Sequence, residues 1–250
     1  LNTVEALVKF KSRLSESTLL KRHLRFLVEV ALPEPLFHTR KIIFCPSLEP
    51  LLGCDVLGSR LWYSAANPFS TSHILDTWEI TEIDQGHLVC VNPEHAKTLV
   101  VEAVNRGIIR ELHGFYFFKK TVFFGHNNAI HVLVSSHGEQ AFLGIESVTF
   151  GNAKGTGFFP DSRTKDMKNL YELMAIRQAG YRAILLFCVQ NTGIKNVRPA
   201  TDIHPAYAAL LREAQSAGVE ILAYRSLITL EGLDLIDSIP VILSENTISS

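Results

Sequence analysis

His131 and Glu146 are the two residues of this 250-residue chain whose types and placement could carry metal chemistry. They fall on neighbouring apolar runs, 130–134 and 141–150, that read as adjacent strands. An imidazole and a carboxylate facing one another across two strands could hold a divalent ion such as Mn2+ or Zn2+. Glu111, Glu139 or Asp161 could supply a further oxygen. The plainer arrangement is a hydrogen-bonded histidine–glutamate pair with no metal. Mg2+ fits worse, because it favours oxygen ligands and gives up its water reluctantly. His126, His131 and His137 match no zinc spacing, and Cys45, Cys54, Cys90 and Cys188 form no Cys-x-x-Cys pair. No Gly-x-Ser-x-Gly, His-Glu-x-x-His or phosphate-loop motif offers other chemistry. No cofactor is therefore expected.

A second set of residues could bind rather than react. Lys21, Arg22, Arg25, Arg40 and Lys41 could follow a phosphate backbone, and Trp62 could stack on a base. Tyr63, Phe69 and Trp78 lie in the same region, although alternation along strands sends about half of such aromatics into a core. A net charge of −1 gives no global support for a nucleic-acid partner, since phosphate neutralisation normally needs a basic surface. The charges of residues 1–30 read most plainly as the solvated face of a helix.

The elements that must position these residues change character along the chain. Short apolar runs at 25–30, 41–44, 60–64, 76–83 and 87–91 alternate with turn residues such as Pro46, Gly53 and Gly86, the pattern of a small β-barrel. Asn92-Pro93 then starts a helix with Ala96, Leu99, Val100, Ala103 and Val104 on one face and Gly107 as its stop. Beyond it, strands at 122–124, 130–134 and 141–150 precede a helix near 165–179, a continuous apolar strand at 183–189, a helix opened by His204-Pro205, and a strand at 219–224. Strand, helix and strand at this spacing predict βαβ units and a partly parallel sheet. The chain therefore divides into residues 1–91, a barrel with a basic N-terminal segment, and residues 92–250, a linking helix with an α/β sandwich. No apolar run approaches the roughly 20 residues of a membrane span. With no signal-peptide pattern and no disulfide framework, the expected setting is cytoplasmic.

Read in order, Arg25-Phe-Leu-Val-Glu-Val30, Cys45-Pro46, Trp62-Tyr-Ser64, Thr77-Trp-Glu-Ile-Thr81, Glu146-Ser-Val-Thr149, Phe159-Pro-Asp161, Asn169-Leu-Tyr-Glu-Leu173 and Gly218-Val-Glu-Ile-Leu-Ala-Tyr224 carry a likeness. Across residues 20–240 the chain resembles the bacterial sugar fermentation stimulation protein A family. The resemblance implies an N-terminal oligonucleotide-binding barrel and a C-terminal domain of the PD-(D/E)XK nuclease type. It also implies DNA binding and, in some members, a metal-dependent nuclease site.

The nuclease design needs an aspartate on one strand, a glutamate on the next, and a lysine two residues further on, sharing the glutamate's face. By the resemblance those positions hold His131, Gly144 and Glu146. An imidazole, a missing side chain and a reversed charge stand where the chemistry wants two carboxylates and an ammonium. The expected protein is thus a DNA-binding member of that family without nuclease activity. One alternative is a nuclease with rearranged ligands, His131, Glu146 and Glu111 holding Mg2+ or Mn2+. Another is a regulatory module that binds a protein partner or a second copy of itself. No membrane partner is expected.

Overall fold

The computed structural model describes residues 6–23, 25–36, 39–47, 50–66, 75–119, 122–124, 128–130, 132–163 and 167–244. The first part of the chain forms β1 (Val8–Lys9), β2 (Leu14–His23), β3 (Leu27–Ala31), β4 (Arg40–Phe44), β5 (Arg60–Ser64), β6 (Thr77–Ile83) and β7 (His87–Cys90). Then follow α1 (Glu94–Asn105), β8 (Tyr116–Lys119), β9 (Val122–Phe124), β10 (Asn128–Ile130), β11 (Val132–Ser136), β12 (Glu139–Val148) and β13 (Thr156–Phe159). The chain ends with α2 (Lys168–Gln178), β14 (Arg182–Val189), β15 (Asn196–Pro199), α3 (Pro205–Ser216), β16 (Glu220–Ile228) and β17 (Gly232–Ser238).

Strands β2 to β7 form one sheet in the order β4-β3-β2-β5-β6-β7, with antiparallel neighbours throughout. A parallel pairing of Phe44 on β4 with Thr77 on β6 closes it into a barrel of the oligonucleotide-binding kind. Alternate residues point inward, so Leu19, Val28, Val30, Ile43, Leu61 and Trp78 fill the interior. The indole N–H of Trp78 donates to the Ile80 carbonyl at 3.0 Å, which satisfies the ring's one polar atom. The expected helix face over residues 1–30 is not formed. Among the described residues those charges sit on β1, β2, β3 and the segments between them; on β2, Ser17 and Leu19 are buried while Glu16, Thr18 and Lys21 are exposed. The period is two, and the strand is needed to bridge β3 and β5.

The second sheet runs β1-β17-β16-β14-β12-β11-β8, with β12, β14 and β16 parallel. β14 is central, and every residue from Ala183 to Val189 is buried, as a strand covered on both faces requires. Helix α1 packs on the face bearing Leu143, Ile145, Ile184 and Leu186. Helices α2 and α3 cover the other face, against Phe142, Leu185, Phe187 and Val189. This is the α/β sandwich anticipated from the alternating pattern. Helix α2 is shorter than the 165–179 expected and reads as a helix from Lys168.

The two sheets are joined by more than a linker. β1 pairs with β17 through Val8↔Leu233 and Lys9↔Gly232, so a strand that precedes the barrel in sequence is an edge strand of the second sheet. Trp62, Ile80 and Cys90 of the barrel pack into the apolar cluster around α1. Beside them lies a buried polar knot. Glu79, only 3% exposed, accepts hydrogen bonds from Ser64 Oγ at 2.7 Å, Asn92 Nδ2 at 2.9 Å and His95 Nε2 at 2.8 Å. Burial alone would raise its pKa, but the hydrogen bonds, His95 foremost, outweigh that and hold the carboxyl below its ordinary range. Asn92 also accepts from the Glu94 N–H at 3.2 Å, which makes the helix start predicted at Asn92-Pro93 part of the same knot.

Candidate functional site

Two surfaces bear on function, the α2 side of β12 and the outer face of the barrel. Alternation along β12 sends Leu143 and Ile145 toward α1, and Phe142 and Val148 toward α2 and α3. Gly144 and Glu146 therefore share the α2 side. Glu146 is only 7% exposed, and its Oε1 accepts a hydrogen bond from Asn169 Nδ2 on α2 at 3.1 Å. The same asparagine crowds position 144. A Cβ built there would lie 2.9 Å from Asn169 Nδ2, 3.0 Å from its Oδ1 and 3.1 Å from Leu173 Cδ1. One turn along α2, Glu172 is also buried. Tyr207 of α3 is buried nearby; burial first, and then the Glu146 charge, push its hydroxyl well above the ordinary tyrosine range.

The other residues considered as metal ligands do not gather here. His131 and His126 lie outside the described residues. Glu111 follows α1, and its carboxylate accepts from the Tyr224 hydroxyl at 2.6 Å. Tyr224 belongs to the core on the α1 side, so Glu111 is engaged away from Glu146. Burial, with that hydrogen bond second, pushes the Tyr224 hydroxyl up to about 12. Glu139 begins β12, seven residues from Glu146 and so roughly 23 Å away along a strand. His137 sits in the β11–β12 turn beside Ser136, with a left-handed φ of 46°. Asp161 lies close enough to the barrel for its charge to act on Cys54. Among the described residues no group of three or more His, Cys, Asp or Glu side chains could hold a metal ion. The donor set does not fit Mg2+ either, since position 144 offers no oxygen and its side-chain space is filled by Asn169 and Leu173. The four cysteines are buried, and burial pushes the Cys54 and Cys188 thiols up to about 12, which makes them inert core residues.

On the barrel, most of the expected basic contacts already have partners. Arg22 donates to the carbonyls of Arg25 at 2.8 Å and Ser47 at 3.0 Å and pairs with Asp55 at 3.5 Å, so it ties two loops together. Arg40 pairs with Glu29 at 3.0 Å, and His23 reaches the same carboxylate at 3.1 Å. Those two hydrogen bonds, His23 first, hold Glu29 below the ordinary carboxylate range. Lys41 pairs with Asp76 and lies 5.0 Å from the centre of the Tyr63 ring. Trp62 is 4% exposed and packs in the core beneath the Arg60 guanidinium, so it offers no stacking surface. Tyr63 and Trp78 are core residues as well, and Phe69 lies outside the described residues. Lys21 and Arg25 are exposed on the barrel.

What the barrel does present was not singled out beforehand. Cross-strand register places His23, Leu27 and Phe44 in one row and Lys21, Glu29 and Ile42 in the next. Ile42 is 41% and Phe44 37% exposed on β4, with Phe26, 41% exposed, in the β2–β3 turn. Two aromatic rings and an isoleucine thus face solvent on this side of the barrel. The signal was in the sequence: Ile42-Ile43-Phe44 is apolar on both faces, whereas a barrel strand facing water should be polar on one.

Comparison with known proteins agrees with this architecture. Residues 94–232 match the family described as Sugar fermentation stimulation protein RE domain. A "Sugar fermentation stimulation protein homolog" of Pseudomonas syringae pv. tomato is 40% identical over 229 residues, 90% of this chain and 95% of that protein. The homolog of Pseudomonas aeruginosa PAO1 is 39% identical over 237 residues, 94% of this chain and 99% of its own length. Among solved structures, that of Pyrococcus furiosus SfsA in complex with Ca2+ superposes with a TM-score of 0.83 at 19% identity. The match covers 96% of this chain and 100% of that one, a likeness of fold over nearly the whole length. The shared length, the identity and the order of strands leave one assignment: the chain belongs to the sugar fermentation stimulation protein family.

Proposed function

We propose that this protein binds single-stranded nucleic acid, DNA in the first place, on the outer β3–β4 face of its barrel, and that its nuclease-like domain does not cut the strand. The observation that carries the reading is the exposed cluster of Phe26, Ile42 and Phe44 flanked by Lys21 and Arg25. Aromatic faces take successive bases, and the two cations take phosphates. Base stacking is worth about 1–3 kcal/mol per base, which lets a nearly neutral protein bind without a broad basic surface. The absence of cutting is supported by the packing of Asn169 into the space beside Gly144 and by the buried, hydrogen-bonded state of Glu146. Position 144 has no room for a carboxylate in that packing.

Fluorescence anisotropy with a labelled single-stranded oligodeoxynucleotide at about 50 mM salt tests the binding. Saturable binding that Phe44→Ala weakens supports the reading; no binding, or binding indifferent to Phe44 and Phe26, sinks it. Incubating the same oligonucleotide with Mg2+ or Mn2+ tests the rest. Cleavage that a chelator abolishes and Glu146→Ala removes would restore the nuclease alternative.

A further inference from the structure

On the edge of the sandwich, away from both surfaces above, a cavity of about 650 Å3 opens between β13, β15 with the loop that follows it, the C-terminal half of α3 and residues 242–244. Its size suits a small organic ligand, for which pockets run about 300–1,000 Å3. Its lining shares no residue with the β12–α2 site or with the barrel face. Two phenylalanines form the aromatic part of its lining. The rings of Phe150 and Phe158 stand 5.8 Å apart and tilted by 42°. Both are half-buried, so each keeps ring surface toward the cavity. Two arginines come from separate elements, Arg198 from β15 and Arg212 from α3. Alternation on β15 explains the first: Val197 is buried in the core, which turns Arg198 outward. Thr201, Asp202 and Ser244 complete the polar lining.

The geometry points to a nucleoside monophosphate as the ligand of this cavity. A flat aromatic base suits the Phe150–Phe158 wall. Guanidinium groups recognise a phosphate bidentately, and two of them from different elements can take one phosphate from two sides. Asp202 would oppose a bare phosphate but accepts hydrogen bonds from a ribose diol, and the Thr201 hydroxyl can serve either partner. Apolar wall, two cations and a single carboxylate thus ask for a ring, an anion and hydroxyl donors in one molecule. The inference stands apart from nucleic-acid binding on the barrel and does not depend on it.

Isothermal titration calorimetry of the full chain decides the matter, with AMP, GMP, CMP and UMP as probes and adenosine and inorganic phosphate as controls. Expected is saturable binding of at least one nucleotide, with adenosine and phosphate each weaker by about tenfold or more. Arg198→Ala and Arg212→Ala should each weaken it by about tenfold or more. Phe44→Ala on the barrel should leave it unchanged. Nucleotide binding with no oligonucleotide binding upholds the cavity while refuting the barrel reading. No heat with any nucleotide, equal binding of adenosine, equal binding of phosphate, or indifference to both arginine variants would each overturn the proposal.

Discussion

Asn169 holds Glu146 and fills the place beside Gly144 with one and the same amide. Its Nδ2 donates to the Glu146 carboxylate at 3.1 Å and lies 2.9 Å from where a Cβ at 144 would stand. Any side chain added at 144 must therefore move the group that satisfies a buried carboxylate. Occupancy and hydrogen bonding are coupled there, so the two residues cannot be altered independently.

Gly144→Glu, which supplies the carboxylate a nuclease would need, should lower stability by about 1–3 kcal/mol through overpacking and the loss of the Asn169 hydrogen bond. It should create no metal-dependent cleavage. Urea denaturation and a nuclease assay with Mg2+ give both answers. Unchanged stability would mean that Asn169 yields freely and that the site is more open than its packing suggests.

Phe44→Ala should weaken single-stranded oligonucleotide binding by about 5- to 150-fold, the range of one lost stacking contact. Lys21→Ala and Arg25→Ala should each flatten the salt dependence by about 0.7 in logarithmic slope, the contribution of one phosphate contact to a single strand. Arg22→Ala should instead destabilise the barrel, because that guanidinium is committed to the Arg25 and Ser47 carbonyls. Anisotropy at several salt concentrations separates the three behaviours.

The knot around Glu79 sets a pH dependence. Its folded pKa lies below the ordinary 4.5, so its contribution is fully present above that value. The contribution is lost as pH falls through the lower folded value. Glu79→Gln should cost about 1–3 kcal/mol at pH 7 and flatten the fall in stability on acidification below pH ~4.5. Urea midpoints between neutral and acidic pH test this, and an equally steep fall in the variant would assign the dependence elsewhere.

Gly232 meets β1 so closely that a Cβ there would sit 2.5 Å from the Val8 carbonyl oxygen. Gly232→Ala should push β1 off β17. The expected result is loss of amide-exchange protection over residues 8–9 and about 1–3 kcal/mol of stability, with the barrel face unaffected. Retained protection would show that the edge strand adapts.

How far the sequence spoke depended on whether a residue's role was local. Asn92-Pro93 marked the start of α1 because capping is decided within a few residues. β14 announced itself as a strand buried on both faces because seven consecutive apolar residues admit little else. β2 misled, since its exposed side carries enough charge to imitate a helix face while its inward side shows few apolar residues. Arg22 and Lys41 look like free cations in one dimension; their partners, Asp55 and Asp76, are distant in sequence and appear only when the barrel closes. Trp62 went inward and Phe44 outward for the same reason, since the register of each strand is set by its neighbours. The crowding beside Gly144 was invisible for a related reason. It arises from Asn169, twenty-five positions further on in another element.

The pairing of Val8 with Leu233 also has a temporal side. A ribosome releases the first strand long before the last one exists, so for most of synthesis β1 has no partner to dock against. The barrel strands β2 to β7 can find one another early, whereas the edge of the sandwich must wait for nearly the whole chain. Its closure thus waits on β17, and a chain halted before Gly232 would leave β1 without its partner strand.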